Sequence, residues 1–440
     1  MREWVGGAFW SLAYTALLAL PLIVLGSGLV GLSGSGWWFD FSMGLGFGAV
    51  ALFGGQFLLT ARFRRATAPF GMDVLYVFHR WLAVIALVLV LAHYGILRVS
   101  YPATLEPFWP ATAPWYMTAG RASLAVFLLL VVSSLARKAL RIEYDDWRLA
   151  HTVLAVLGMA LAVIHVLGVG YYSGVFWTRI VLDLFLASVL ALVAYVRVMK
   201  PVSLMTKPYR VSDVRAEGGD TWMLTMEPEG HSGLRFAPGQ FGWLSLGCSP
   251  LRAREHPFSF SGSAEQDGTL EFTIKELGDF TRTVGRTEIG TVAYVDGPHG
   301  VFTVDRYPEA PGFLFLAGGV GIAPIASILR TLADRGDARP LCLVYGSSSW
   351  ERTVLKEELA RLSERLNLEV IHVLEELHEG WKGAVGRPTP ELLQQALAGL
   401  PEGMRCFMCG PEPMTKMAEA ALRARGVPLR RIHSELFDMA

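Results

Sequence analysis

Apolar positions dominate the first two hundred residues in long runs and then give way to short alternating ones. Six runs, near 8–30, 41–61, 74–97, 120–136, 147–169 and 176–196, are of the length that crosses the ~30 Å hydrocarbon core of a bilayer as helix. They predict an all-α six-helix transmembrane bundle. After residue 208 the runs shorten. Those at 209–215, 222–226, 241–246, 270–275 and 291–295, with Gly, Pro, Asp and Ser between them, read as strands of a small antiparallel β-barrel. From 312 onward, strands at 313–317, 341–345, 368–373 and 405–408 alternate with helices ending about 332 and lying near 353–366, 389–398 and 412–425. That order belongs to a parallel α/β sheet, whose ligands lie beyond the strand C-termini. The expected fold is multidomain: membrane helices over 1–200, a β-barrel domain over 201–308 and an α/β domain over 309–440. No internal repeat is evident.

Charge sharpens this division. The 440 residues carry 39 Lys+Arg and 39 Asp+Glu, with 52% hydrophobic residues, and the mean hydropathy of +0.39 is too high for an ordinary soluble chain. Residues 1–200 hold only 14 basic and 8 acidic side chains. Among them Arg62, Arg64 and Arg65 follow the second run, Arg137, Lys138, Arg141 and Arg148 lie between the fourth and fifth, and Arg197, Lys200, Lys207 and Arg210 follow the sixth. The other connectors carry only Arg98, Arg121 and Arg179. The positive-inside rule then puts the N-terminus and the soluble half in the cytoplasm of an integral membrane protein surrounded by lipid. Balanced charge, with no basic face, argues against nucleic acid as a partner.

Ionisable residues inside a membrane are costly and therefore candidate functional groups. The third run holds His79 and His93, and the fifth holds His151 and His165; each pair is 14 residues apart. Fourteen residues rise about 21 Å and return to within ~40° of the same face. Two helices running the same way thus set His79 level with His151 near one surface, and His93 level with His165 near the other. Facing imidazoles at two heights suit two six-coordinate haems, and without a C-x-x-C-H attachment motif these would be haem b. Asp183 follows Arg179 by four residues and is expected to pair with it. Arg80, Arg98 and Arg148 could hold haem propionates or anchor helix ends. The faces around Ala86 and residues 157–158 offer no aromatic bridge between the two levels.

In the soluble half, Gly318, Gly319 and Gly321 end a strand and open a helix, where backbone N–H groups and the helix dipole favour a pyrophosphate. Around them stand His256, Pro257, Phe258 and Ser259, then Lys275, Gly278 and Thr281, the segment 296–300, and Cys409, Gly410 and Pro411. His433, Ser434, Glu435, Leu436 and Phe437 close the chain. In this order the motifs resemble the ferredoxin–NADP reductase superfamily, and together with the paired histidines the chain resembles the bacterial NADPH oxidase / ferric reductase family over nearly its whole length.

The resemblance implies FAD, NADPH (or NADH) and two haem b as cofactors, with iron ligands His79, His151, His93 and His165. It implies that Phe258 stacks on the isoalloxazine and that Ser259 bonds near flavin N5, with His256 standing where soluble relatives carry Arg. Gly278, Thr281 and Arg282, with Lys275, would cradle the FAD pyrophosphate. Gly319, Gly321 and Pro324 would shape the nicotinamide dinucleotide site, Cys409 would press on the nicotinamide ring, and Phe437 would cover the flavin, with Glu435 in support. Ser347, Ser348 and Arg352, after the second α/β strand, would suit a 2′-phosphate, although Glu351 beside them argues the other way. Cys406 and Cys409 form a C-x-x-C, read here as strand residues rather than a redox disulfide.

The expected activity is a transmembrane NAD(P)H oxidase passing electrons through FAD and two haems to an extracytoplasmic acceptor, dioxygen giving superoxide. A ferric-chelate or quinone reductase using the same relay is the alternative, and a membrane-anchored flavin reductase without haem is the second.

Overall fold

The computed structural model describes residues 2–29, 36–63, 72–252, 254–377 and 379–435, divided into two compact units, 1–200 and 201–440. Arg64, Arg65, Leu436 and Phe437 lie outside the described residues.

The first unit is helical. Its helices are α1 (Arg2–Leu29), α2 (Trp37–Thr60), α3 (Met72–Ser100), α4 (Trp115–Ala136), α5 (Tyr144–Val169) and α6 (Phe176–Ala194). Among the described residues five helices, α2 to α6, are long and apolar enough to span a membrane; α1 covers the first of the six expected runs. The helix begun by α6 continues through a π turn, Tyr195–Met199, and a further turn of helix at Lys200–Met205. Val50, Phe53, Ala86, Phe127, Met159, Val163 and Phe185 meet in a buried layer at the middle of the bundle. Arg179 and Asp183 approach to 3.9 Å, both more than half exposed, a weak surface pair of the kind that contributes little.

The second unit holds two six-stranded sheets. The first, in order β4-β3-β6-β1-β2-β5, comprises β1 (Tyr209–Gly218), β2 (Thr221–Pro228), β3 (Phe241–Leu246), β4 (His256–Ser259), β5 (Leu270–Lys275) and β6 (Val292–His299). Every pairing in it is antiparallel. A single bridge, Phe260 to Phe272, links the residue after β4 to the opposite edge strand. Its core is Leu224, Met226, Leu244, Phe260, Leu270 and Phe272, all fully buried.

The second sheet, in order β10-β9-β8-β7-β11-β12, is parallel throughout. Its strands are β7 (Phe313–Gly318), β8 (Leu341–Ser347), β9 (Leu368–Leu374), β10 (Ala384–Val385), β11 (Arg405–Cys409) and β12 (Ile432–Glu435). Helices α7 (Ile322–Asp334), α8 (Lys356–Arg365), α9 (Pro390–Ala398) and α10 (Glu412–Ala424) complete it. Strands β10 and β12 were not expected: one is two residues long, and the other is a mixed polar segment paired only along β11.

Helix α7 ties the two sheets together. Arg330, 9% exposed, gives Nη1 to Glu271 of β5 at 2.6 Å and to the Ser261 carbonyl at 2.7 Å, while Nε and Nη2 reach Glu358 of α8 at 2.5 and 2.6 Å. One guanidinium thus bridges two carboxylates, one on a strand of the first sheet and one on a helix that packs with the second. Replacing Arg330 by Met leaves both acids without their buried partner, a loss of about 3–5 kcal/mol. Calorimetry of the full chain is expected to show the soluble unit melting several degrees lower, and an unchanged midpoint would mean that the cluster contributes nothing net.

Candidate electron-transfer site

The four membrane histidines do form two facing pairs. His79 of α3 and His151 of α5 stand with ring centroids 6.1 Å apart and planes at 58°. Two metal–nitrogen bonds of about 2 Å in line, plus the ring radius at each end, add to about 6 Å. His93 and His165 line one cavity, with Gly46, Val50, Gly120 and Leu124 among its other walls.

The ring nitrogens define what each histidine offers. His93 Nδ1 lies 2.8 Å from the Ser42 carbonyl of α2, and His165 Nδ1 lies 3.0 Å from the Tyr116 carbonyl of α4. A carbonyl only accepts, so Nδ1 carries the proton in both and Nε2 keeps its lone pair for a metal. His151 Nδ1 is 3.2 Å from Ser134 Oγ, whose own hydrogen goes to the Leu130 carbonyl at 2.6 Å; the same tautomer follows. His79 Nδ1 is buried with no partner.

Glycine makes room for the His93 and His165 rings. A Cβ on Gly120 would come within 2.6 Å of His165 Nδ1, and one on Gly46 would touch the His93 ring at 3.4 Å. Among the described residues no group of three or more His, Cys, Asp or Glu side chains could hold a metal ion. Each pair therefore offers two imidazoles only, a donor set suited to iron whose other positions a macrocycle fills.

These contacts reveal a repeat that sequence reading missed. Gly46, Phe53 and Thr60 of α2 match Gly120, Phe127 and Ser134 of α4 at an offset of 74, each series spaced by seven. The carbonyl four residues before each glycine receives the histidine proton. The two phenylalanines, midway along their series, stack at 3.7 Å with planes 1° apart. The level between the histidine pairs therefore does hold an aromatic pair, contributed by α2 and α4 rather than by the histidine helices. The sequence signal was present: glycine, six residues, phenylalanine, six residues, hydroxyl, occurring twice.

Two arginines stand near the histidines. Arg121 lines the cavity of His93 and His165, and it donates to the carbonyls of Leu105, Pro107 and Phe108 and lies over the Phe108 ring at 4.8 Å. It binds its own connector. Arg197, unexpected as a site residue, gives Nη2 to Thr152 Oγ1 at 2.6 Å, next to His151. Arg148 is buried, whereas Arg80 and Arg98 are exposed.

In the soluble unit the flavin and nicotinamide motifs split into adjoining groups. Pairing of β3 with β4 and β6 sets Phe241 beside Ser259 and His299. Pairing of β11 with β12 sets Cys409 beside Glu435, and a Cβ on Gly300 would meet both the Phe241 ring and Glu435 Oε1. Ser259, Cys409 and Glu435 thus converge from three strands. Ser259 Oγ is buried with no partner, as a hydroxyl awaiting a flavin would be. His256 stacks on Phe280 at 4.0 Å, with Phe258 at 6.0 Å from the same ring.

Thr281 Oγ1 accepts from Leu277 and Gly278 N–H at 2.8 and 2.9 Å, so it shapes the turn, while Gly278 opens to free space. Arg282 is exposed, 3.7 Å from Asp279, and Lys275 is half-buried. In the glycine cluster, a Cβ on Gly321 would sit 2.2 Å from the Cys409 carbonyl. That glycine is needed for close packing on the Cys409–Gly410–Pro411 turn. Gly319 has φ +54 and open space beside it, leaving it as the glycine free to meet a phosphate. Pro324 is buried in α7. Ser347 is buried, Ser348 half-buried and Arg352 exposed.

A helical membrane module with paired imidazoles, joined to a two-sheet module with a flavin-type and a nicotinamide-type motif set, defines a transmembrane reductase by architecture. Residues 45–163 match the family "Ferric reductase like transmembrane component" and residues 315–420 match "Oxidoreductase NAD-binding domain". NADH-cytochrome b5 reductase 1 of Scheffersomyces stipitis is 31% identical over 44% of this chain and 72% of its own length. Ferredoxin--NADP reductase B of Sorangium cellulosum is 32% identical over 46% and 86%. For NADH-cytochrome b5 reductase 1 of Cryptococcus neoformans, at 32% identity, the match spans 63% of the relative's length. A ferredoxin NADP+ reductase structure from Neisseria gonorrhoeae is 24% identical over 52% of this chain and 98% of that one, with a TM-score of 0.45. The chain is an oxidoreductase in which a ferric-reductase-like transmembrane component is fused to an FAD- and NAD-binding reductase, the architecture of the ferric reductase/NADPH oxidase proteins.

All four cysteines are free, and burial, with the Glu435 carboxylate nearby, pushes the Cys409 thiol well above its usual range. Burial likewise raises Cys406 to about 12, and Cys342 also to about 12. Neutral thiols do not attack. At pH 8 iodoacetamide is expected to label Cys248 alone in the native chain and all four cysteines after denaturation. Labelling of native Cys409, or a Cys406–Cys409 disulfide by mass, would count against this arrangement.

Proposed function

We propose that this chain is a transmembrane NAD(P)H oxidase that takes electrons from cytoplasmic NAD(P)H and delivers them to dioxygen on the opposite face, giving superoxide. The carrying observation is the two facing imidazole pairs, with Nδ1 committed to protein acceptors at three of the four rings. When bound, FAD would supply the change from two-electron to one-electron chemistry, and two b-type haems would supply one-electron carriage across the membrane.

The chain's own residues then have distinct tasks. His79 and His151 would hold the inner haem, and His93 and His165 the outer, each through Nε2. Gly46 and Gly120 leave room for the outer rings, and Phe53 with Phe127 fills the space between levels with polarisable rings rather than aliphatic carbon. Ser259, Phe258, Gly278, Thr281, Arg282 and Lys275 would hold FAD. Cys409, buried and neutral, would present a soft uncharged surface to nicotinamide, with Glu435 beside it and Phe437 over the flavin. Gly318, Gly319, Gly321, Pro324, Gly410 and Pro411 would shape the dinucleotide site, and Ser348 and Arg352 would face a 2′-phosphate. Six spans with both termini cytoplasmic follow from the basic connectors.

The outer cavity favours a neutral acceptor. Apart from its two histidines and Arg121 it is lined by apolar side chains and small polar groups. Arg121 donates to three backbone carbonyls, which fix its position and leave its charge in place. Dioxygen enters an apolar space of this kind with little to desolvate, whereas a ferric chelate with several charges would shed its hydration with a single cation to meet it.

NADPH-driven cytochrome c reduction in air, by protein loaded with haem and FAD, tests this reading. Superoxide dismutase is expected to remove most of the activity, and His93→Leu to lower it at least tenfold while NADPH–ferricyanide activity of the soluble unit persists. Dismutase-insensitive activity, or activity that survives loss of His93, would move the acceptor to ferric chelates or quinones. Purified protein with flavin and no Soret band would leave only a membrane-anchored flavin reductase.

A further inference from the structure

At one buried position α2 carries a polar side chain where α4 carries an aliphatic one. The contact of Ser42 with His93 sets the antiparallel register of α2 and α3. Fourteen residues onward from Ser42 is Gln56, and fourteen back from His93 is His79; both steps cover about 21 Å along their axes. Gln56 is therefore level with His79. Its direction is about 40° from that of Ser42, which meets His93 of α3, on the side of Gly48, which borders Leu89 of α3 and Leu22 of α1, so it faces α3.

Gln56 is 7% exposed, and neither its Oε1 nor its Nε2 has a hydrogen-bond partner. His79 is the one histidine of the four whose buried Nδ1 has none either. An amide inside an apolar helix bundle is costly unless it is bonded, and the matching position on α4 is Leu130. The polar group thus stands outside the repeat, at the level of the one unsatisfied ligand.

We propose that Gln56 Oε1 accepts the Nδ1–H of His79, making Gln56 the positioning residue that fixes tautomer and ring orientation of this inner ligand. The inference rests on the two-haem reading. Such an acceptor raises the basicity of the ligating nitrogen and favours ferric iron, and its removal typically costs about 10–100-fold in metal affinity or activity. The other three acceptors come from backbone or serine. Only this one is an amide, on a helix that also holds the ligand's neighbour in the outer layer.

The test is a redox titration and low-temperature EPR of the full chain in detergent, with haem counted per chain, for wild type, Gln56→Leu, Gln56→Glu and Thr60→Val. The last probes the counterpart of Ser134, the rival acceptor. Gln56→Leu is expected to move one of two haem transitions to higher potential with a change in its g values, and Gln56→Glu to move the same transition the opposite way. Selective loss of one haem in Gln56→Leu but not in Gln56→Glu would also support the assignment. Unchanged transitions in Gln56→Leu, equal haem loss in the Leu and Glu variants, or a shift confined to Thr60→Val would each overturn it. Wild-type protein without haem would instead overturn the relay itself.

Discussion

An imidazole within hydrocarbon has two ring nitrogens and no water to satisfy them. Each of the four membrane histidines must find an acceptor for one N–H if the other nitrogen is to face a metal. The bundle answers with the helices that flank the ligand helices. Carbonyls of α2 and α4 lie within reach because Gly46 and Gly120 bring those backbones close. The serine on α4 does the same for His151. Imidazole orientation is therefore set by α2 and α4, which carry none of the four histidines.

The soluble unit meets a related demand by close approach of backbones. Strands β7 and β11 are neighbours, so the glycine cluster after one and the Cys409 turn after the other must pass within van der Waals contact. Gly321 permits it. The outcome is a compact point where three strands deliver Ser259, Cys409 and Glu435 together, and where desolvation keeps the thiol neutral. The Arg330 cluster holds the two sheets in register around that point.

Much of this was legible in the residue order. Histidine spacing gave the two levels, because helical rise and twist are fixed, and strands β3 and β5 matched their expected ends since Gly, Pro and Asp bound them. The antiparallel sheet was less legible at its edges; the bridge between Phe260 and Phe272 joins positions that alternation cannot pair. Ser42 and Ser134 were invisible because a serine on an apolar helix signals nothing until helix register is known. The contacts of Arg121 were not legible because its carbonyl partners lie 13 to 16 residues away in an irregular connector. The 74-residue repeat is faint in the residue order because it rests on three matched positions per helix, on helices that carry none of the four histidines.

Phe53 and Phe127 hold equivalent places in the two hairpins and lie against one another. Each is thus packed on its own counterpart, as a residue on the axis of a symmetric dimer is packed on its copy. At such a place one chain behaves like two subunits with a self-complementary contact. A change in shape on one side has no compliant partner on the other, and volume is conserved only when both sides change in concert. The centre of the bundle is in this sense a subunit interface enclosed within a single polypeptide.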